Sequence, residues 1–291
     1  MVFTKEIIAH LIALLTIVIW SLTFVETKVL LHYLSAQEIL IDRFVLAWII
    51  FFLLMPKLVF HNIKDELLFM ALGFSGIFGY YILENLALKH TSAINVGLIV
   101  TTAPIFTTLL LIFLKKYPKR KIYISFVGFL LVVIGLLVMQ YSNITPFALG
   151  DILALLGALF FGIYSLLLSR VPKNYHILII TRKSFFWGVV FLVLFFYLFG
   201  NSFASIEVYK KEVVWANLLF LAIVASGLCF LMWRYAIAII GSSKASNYIY
   251  LVPLLNSFVA IYILDEVFSI TLFFATLFIL SGLFIAQKYG V

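Results

Sequence analysis

Residues 213–233 read VVWANLLFLAIVASGLCFLMW, bracketed by Glu212 and Arg234 with no charge between them. A helix needs about 20 apolar residues to cross the roughly 30 Å hydrocarbon core of a bilayer. This segment is long enough to do so. It lacks the alternating pattern, near ten residues long, of a barrel strand.

Outward from it the pattern recurs. Uncharged stretches cover 7–25, 67–83, 90–114, 122–150, 184–206, 245–264 and 267–287. Two further spans carry internal charges: 38–56 with Asp42 and Arg43, and 175–198 with Arg182 and Lys183. A third, 151–169, is uncharged after Asp151. The whole chain is 65% hydrophobic and 11% charged, with a mean hydropathy of +1.21. A soluble domain is about 25% charged, so this composition excludes one. Cys229 is the single cysteine and can form no internal disulfide.

These stretches predict an all-α polytopic membrane protein with ten transmembrane helices, near 7–27, 38–56, 67–86, 93–114, 122–140, 149–168, 175–198, 213–233, 245–264 and 267–287. The apolar run of the first exceeds a signal-peptide core and no small-x-small cleavage site follows, so it reads as a retained helix. Thirteen Lys and Arg residues fall on the side of the N-terminus and four on the other. Positive residues favour the cytoplasmic side, which predicts a cell-membrane protein with both termini cytoplasmic. The run Lys115–Lys121 (KKYPKRK) reads as a cytoplasmic anchor rather than a nucleic-acid patch.

The two halves echo each other. Ala87 and Ala236, and Pro104 and Pro253, are each 149 residues apart. Trp20-Ser21 faces Phe161-Gly162-Ile163-Tyr164 in the other half, Arg43 faces Arg182, and Gly128 and Gly135 face Gly282. Five spans per half place the halves, 1–144 and 145–291, in opposite membrane orientations. That is the inverted-repeat design of many secondary transporters.

Pro104 and Pro253 interrupt a helical ladder at matching places and are candidate hinges. Gly73, Gly76 and Gly79 read as helix-packing positions, which turns Tyr80 and Glu84 toward an opening, or Glu84 toward water at the helix end. Arg43 and Arg182 lie inside spans, where charges snorkel, form gate ion pairs or contact a substrate carboxylate or phosphate. A cavity lining drawn from rings and hydrogen-bonding groups comprises Trp20, Thr23, Tyr80, Glu84, Asn95, Thr102, Tyr164, Ser226, Trp233, Asn247, Tyr248 and Asn256. Asn95 and Thr102, seven residues apart, are expected to share a face. No protease, hydrolase or nucleotide-binding motif occurs, and the histidines are dispersed, so neither an enzyme, a metal site nor a cofactor is expected.

Taken in order, these features resemble the EamA-type permeases, ten-helix members of the drug/metabolite transporter superfamily. The resemblance rests on Trp20-Ser21-Leu22-Thr23-Phe24, Arg43, Ala87-Leu88-Lys89-His90-Thr91-Ser92-Ala93, Pro104, Pro253 and Asp265-Glu266. The chain departs from the pattern at Lys116-Tyr117, where a glutamate is usual, and at Ser21, where glycine is common. The resemblance implies a basket of helices around a central cavity, lined by helices one, three, four, six, eight and nine, with five and ten peripheral. It implies small-metabolite substrates: amino acids, purines, vitamins, nucleotide-like compounds or drugs. Rings with a few amides favour export of an amino acid or similar amphipathic compound. Uptake or exchange of a nucleotide-like metabolite or vitamin is the alternative, and a channel ranks behind both. The expected partners are that small molecule, the lipid bilayer, and a proton or exchanged metabolite. No nucleic acid and no oligomer are required.

Overall fold

The computed structural model describes residues 5–56, 60, 62–114, 119–142, 148–168, 170–172, 175–200, 202–240, 245 and 247–289. Most of the basic 115–121 run, the loop after Tyr141 and the Ser242–Lys244 stretch lie outside them.

All regular structure among the described residues is helical. In chain order the helices are α1 Lys5–Leu30, α2 Ala36–Leu54, α3 Ile63–His90, α4 Ala93–Val100, α5 Ala103–Leu114 and α6 Lys119–Ser142. They continue as α7 Leu149–Leu168, α8 Ile177–Leu198, the short α9 Ile206–Tyr209, α10 Glu212–Ile240, α11 Val252–Leu264 and α12 Ile270–Tyr289. A 3₁₀ turn, Asn247–Leu251, leads into α11.

Six of these are long and apolar enough to cross a membrane by themselves, not the ten expected: α1, α3, Arg120–Val138 within α6, α7, α8 and α10. The shortfall has physical causes. The expected span 93–114 is split at Thr101–Thr102, and the expected span 245–264 opens in the 3₁₀ turn. Proline supplies no backbone N–H and breaks the ladder at Pro104 and Pro253. In α2, Glu38, Asp42 and Arg43 dilute the apolar run.

Burial runs opposite to that of a soluble protein. Leu11, Leu15, Leu53, Phe126, Leu137 and Phe273 point outward, while Thr16, Ser21, Arg43, Glu84, Asn85, Ser226 and Asn256 are buried. Hydroxyls inside helices satisfy themselves on their own backbone: Thr16 Oγ1 donates to Ile12 O at 2.8 Å and Ser21 Oγ to Ile17 O at 2.8 Å. Such internal pairing is what a low-dielectric surround demands. Ser35 opens α2 with a capping box, accepting from Glu38 N at 3.2 Å while its own N–H donates to Glu38 Oε2 at 2.8 Å.

Two stretches wind wider than an α-helix: Gly73–Gly79 in α3 and Phe220–Leu228 in α10. Shifting the first by the repeat spacing of 149 residues places it on 222–228, inside the second. The matching helix breaks obey the same spacing. Gly73 lets α3 lie directly on the Ser184–Gly188 backbone of α8, where a Cβ would come within 2.6 Å of Ser184 O. The α6 and α12 helices pack on one another through Gly135 and Gly282.

Candidate functional site

Arg43 stands near the middle of α2, and only 1% of it is exposed. Its Nε donates to Ser226 Oγ at 2.6 Å. Its guanidinium carbon lies 4.7 Å from the Tyr81 ring centre and 5.2 Å from that of Phe44, a cation–π arrangement. Its Nη1 is buried without a hydrogen-bond partner. Ser226 belongs to the wide turn of α10. Such turns offset side chains from α-helical register and recur at functional positions.

Around this charge the bundle gathers rings and one acid. Tyr80 meets Tyr81 at 4.6 Å and Phe161 at 5.1 Å between ring centres. The Tyr80 hydroxyl reaches Glu84, one helical turn on, and Glu84 lies within the field of Arg43. Trp20 donates its indole N–H to Ala225 O at 3.0 Å and packs on Trp233 at 5.4 Å and Phe230 at 5.7 Å. Phe185 joins Phe230 to Phe44, each at 5.1 Å. Tyr164 closes the α7 side, its ring against Gly76. The result is one cation and one acid at the junction of α1, α2, α3, α7, α8 and α10.

One end of the bundle is held by Glu266. Its Oε1 pairs with Lys28 Nζ at 3.0 Å and accepts the Ala93 N–H at 2.7 Å, and its Oε2 accepts the Ile94 N–H at 3.0 Å. The carboxylate thus caps the N-terminus of α4, where orphan donors and the helix dipole favour an anion. Asp265 makes this possible by turning in the left-handed region, φ 54° and ψ 31°. Asp tolerates that conformation better than most residues. Thr91 Oγ1 donates to Asp151 Oδ1 at 3.0 Å and accepts from Asn95 Nδ2 at 3.2 Å. A polar cleft of about 320 Å³ lies here, lined among others by His90, Thr91, Asn95, Asp151 and Glu266. Just inside, Asn256 Nδ2 donates to Ala93 O at 2.6 Å, and its amide fills the space where a Cβ on Gly97 would go.

The opposite end is held by the Lys183–Glu66 ion pair, by the Tyr175 hydroxyl donating to Asp65, and by Arg182 donating to Met55 O. The bond to Asp65, with desolvation and the nearby acids adding, pushes the Tyr175 hydroxyl up to about 12. His10 Nδ1 and Tyr248 Oη lie 2.9 Å apart and join α1 to the 3₁₀ turn.

The residues expected to line one cavity therefore divide. Trp20, Tyr80, Glu84, Tyr164, Ser226 and Trp233 converge around Arg43. Asn95 and Asn256 belong to the end held by Glu266, and Tyr248, in the 3₁₀ turn, pairs with His10 of α1. Thr23 and Thr102 turn inward on Trp20 O and Ile99 O, both at 2.7 Å. The continuous helix assumed for a common face of Asn95 and Thr102 is absent: α4 stops at Val100 and a turn at 101–102 separates the two. The side chain of Asn247 lies outside the described ones. Pro104 and Pro253 sit at the starts of α5 and α11 rather than within continuous helices. Among the described residues Arg43 forms no ion pair, and its bond to Ser226 holds it in the interior. Glu84 is 2% exposed and does not face water. Arg182 donates to Met55 O at the opposite end. Tyr81, Lys28 and Asp151 were not among the expected site residues, although Lys28 and Asp151 are charges at span ends. Among the described residues, no group of three or more His, Cys, Asp or Glu could hold a metal ion.

The sequence profile of the EamA-like transporter family matches residues 7–141 and again 148–287. An uncharacterised transporter of Archaeoglobus fulgidus is 30% identical over 266 residues, spanning 88% of this chain and 89% of that protein. A biotin transporter of Salmonella typhimurium is 26% identical over 230 residues, 76% of this chain and 74% of its own length. A crystal structure superposes with a TM-score of 0.65 at 19% identity, covering 96% of this chain and 95% of the other, and is similar in fold.

Proposed function

The chain belongs to the EamA-like transporter family, and on that premise we propose that it exports an amino acid or a related amphipathic metabolite by alternating access. It is a small-molecule secondary transporter and a multi-pass membrane protein, not an enzyme. The observation that carries the substrate reading is the patch around Arg43: a buried cation and acid walled by Trp20, Tyr80, Tyr81, Phe230 and Trp233. Such a site suits a molecule with a charged head and an apolar body.

In this reading ten helical segments cross the membrane. The α2 segment crosses despite its charges because each is partnered inside the protein. Glu38 caps its own helix and accepts the Ala204 N–H, Asp42 accepts the Tyr209 hydroxyl at 3.0 Å, and Arg43 bonds Ser226. The broken pairs α4–α5 and 3₁₀ turn–α11 each make one crossing. The halves 1–144 and 145–291 are then inversely oriented around a central cavity, with both termini cytoplasmic. The paired wide turns and paired proline breaks support that symmetry. Closures at both ends, each made of breakable polar bonds, suit a carrier better than a channel, which needs a continuous polar pore. A proton gradient or an exchanged metabolite drives the cycle, and one chain suffices.

Vitamin uptake is the second reading, favoured by the similarity to a biotin transporter. A thermal-shift screen of a metabolite panel in detergent, followed by flux in liposomes with and without a proton gradient, decides between them. Stabilisation and flux by amino acids support export of that class. Movement of another class with no amino acid moved overturns it.

A further inference from the structure

We propose that Arg43 is the docking group for a carboxylate on the carried metabolite, received by its free Nη1; this rests on the transporter reading above. Burying a guanidinium is costly unless its donors are used. Nε is used by Ser226 at 2.6 Å, and the flat faces are covered by the Tyr81 and Phe44 rings. Nη1 alone is buried and idle. Among the described residues no carboxylate forms an ion pair with this arginine; Glu84, the acid within its field, is engaged by the Tyr80 hydroxyl, and the guanidinium itself is held in place by a hydroxyl and two rings. That combination orients a donor while leaving its charge available.

The chemistry of the ligand follows from the count of what is offered. One cation with one free donor nitrogen matches a monoanion. A phosphate dianion calls for further cationic groups beside Arg43, and Lys28 and Lys183, two of the other cations in the bundle, are already paired at its ends. The apolar remainder of the metabolite then lies against Trp20, Trp233 and Phe230. The partner helix contributes through Ser226, which sits in the wide turn of α10 opposite α2. Rearrangement of that turn would move the Nη1 donor, so substrate capture and helix movement share one hydrogen bond.

The test uses the full chain in proteoliposomes with two pairs of probes: L-phenylalanine and its amide, and biotin and its amide. Each amide keeps the body of its acid and removes the anion. Wild-type protein is expected to carry at least one acid and to prefer it to its amide by tenfold or more. In Arg43→Gln that preference is expected to fall to about one, through a rise in KM for the acid of about 10- to 100-fold, the size of a lost hydrogen bond between charged groups. Should Arg43→Gln fail to fold, Ser226→Ala carries the test. It keeps the charge, frees the guanidinium from its brace, and is expected to reduce the acid–amide preference several-fold. Equal handling of acid and amide by the wild type, or an undiminished preference in both variants, overturns this inference while leaving the transporter reading intact. A wild type that moves neither acid nor amide but carries another class overturns both this inference and the proposed substrate class.

Discussion

Lys28 Nζ lies 3.0 Å from Glu266 Oε1, tying the end of α1 to the turn after α11 across 238 residues of sequence. The same carboxylate caps α4, so one side chain holds three helical segments of the two halves together. At the far end Lys183 and Glu66 pair in the same manner.

These two pairs predict opposite effects. Glu266→Gln removes the anion that holds Lys28 and weakens the cap on α4, and Glu66→Gln removes the partner of Lys183. Each loss is worth about 1–2 kcal/mol, discounted for partial exposure, or roughly tenfold in the balance of end-open states. Single cysteines placed near each end in a Cys229→Ala background should report it. Labelling near Glu266 should rise in Glu266→Gln and fall in Glu66→Gln, and the converse should hold at the other end. Parallel changes at both ends in both variants would show that the pairs do not oppose one another.

Gly97→Val should destabilise the protein through α4 and α11. A side chain there meets the Asn256 amide, which has no room to retreat while it donates to Ala93 O at 2.6 Å. Overpacking of this kind costs about 1–3 kcal/mol. A lowered thermal midpoint in detergent checks it, and Gly97→Val with unchanged midpoint would mean that these helices do not cross so closely.

Trp20→Ala and Asn95→Ala should separate. Trp20 packs on Trp233 and Phe230 beside Arg43, so its loss should weaken metabolite binding about tenfold or more. Asn95 is committed to Thr91 at the end cleft, and its loss should leave affinity within about threefold. Thermal shifts titrated with the identified metabolite give both values. Equal losses in both variants would place the metabolite in the end cleft as well as beside Arg43.

The Tyr175–Asp65 bond carries a pH signature. The neutral hydroxyl is the donor, and the bond raises the folded-state value to about 12, above the ordinary value of about 10. Its stabilisation is therefore complete below about pH 10 and is lost as pH rises through about 12. The difference in thermal midpoint between wild type and Tyr175→Phe should stay constant from neutral pH to about 10 and shrink above it. A difference that already shrinks near neutral pH would assign the stabilisation to another group.

What could be read from sequence was local. Charges at helix ends marked where helices begin and stop, and the helices do occupy those places. Pro104 and Pro253 announced the breaks, because a missing N–H acts on its own ladder. Arg43 stood out because a charge inside an apolar run is costly. Its partner did not, because Ser226 is 183 residues away and is one hydroxyl among many. The break between Asn95 and Thr102 was hidden for a related reason: seven-residue spacing implies a shared face only if the helix continues, and α4 stops at Val100. The wide turns of α3 and α10 leave no mark beyond small residues, and those fit close packing equally well. Whether α2 crosses the membrane likewise depends on distant partners, Ala204, Tyr209 and Ser226.

Counterflow bears most directly on the central claim, that a small metabolite is carried by alternating access. Proteoliposomes loaded with unlabelled metabolite from the screen, then diluted into a trace of labelled metabolite, should accumulate label transiently above equilibrium and saturate as its concentration rises. Label that merely equilibrates, with a rate linear in concentration, would contradict a carrier and indicate a channel; no flux of any metabolite on the panel would contradict transport itself.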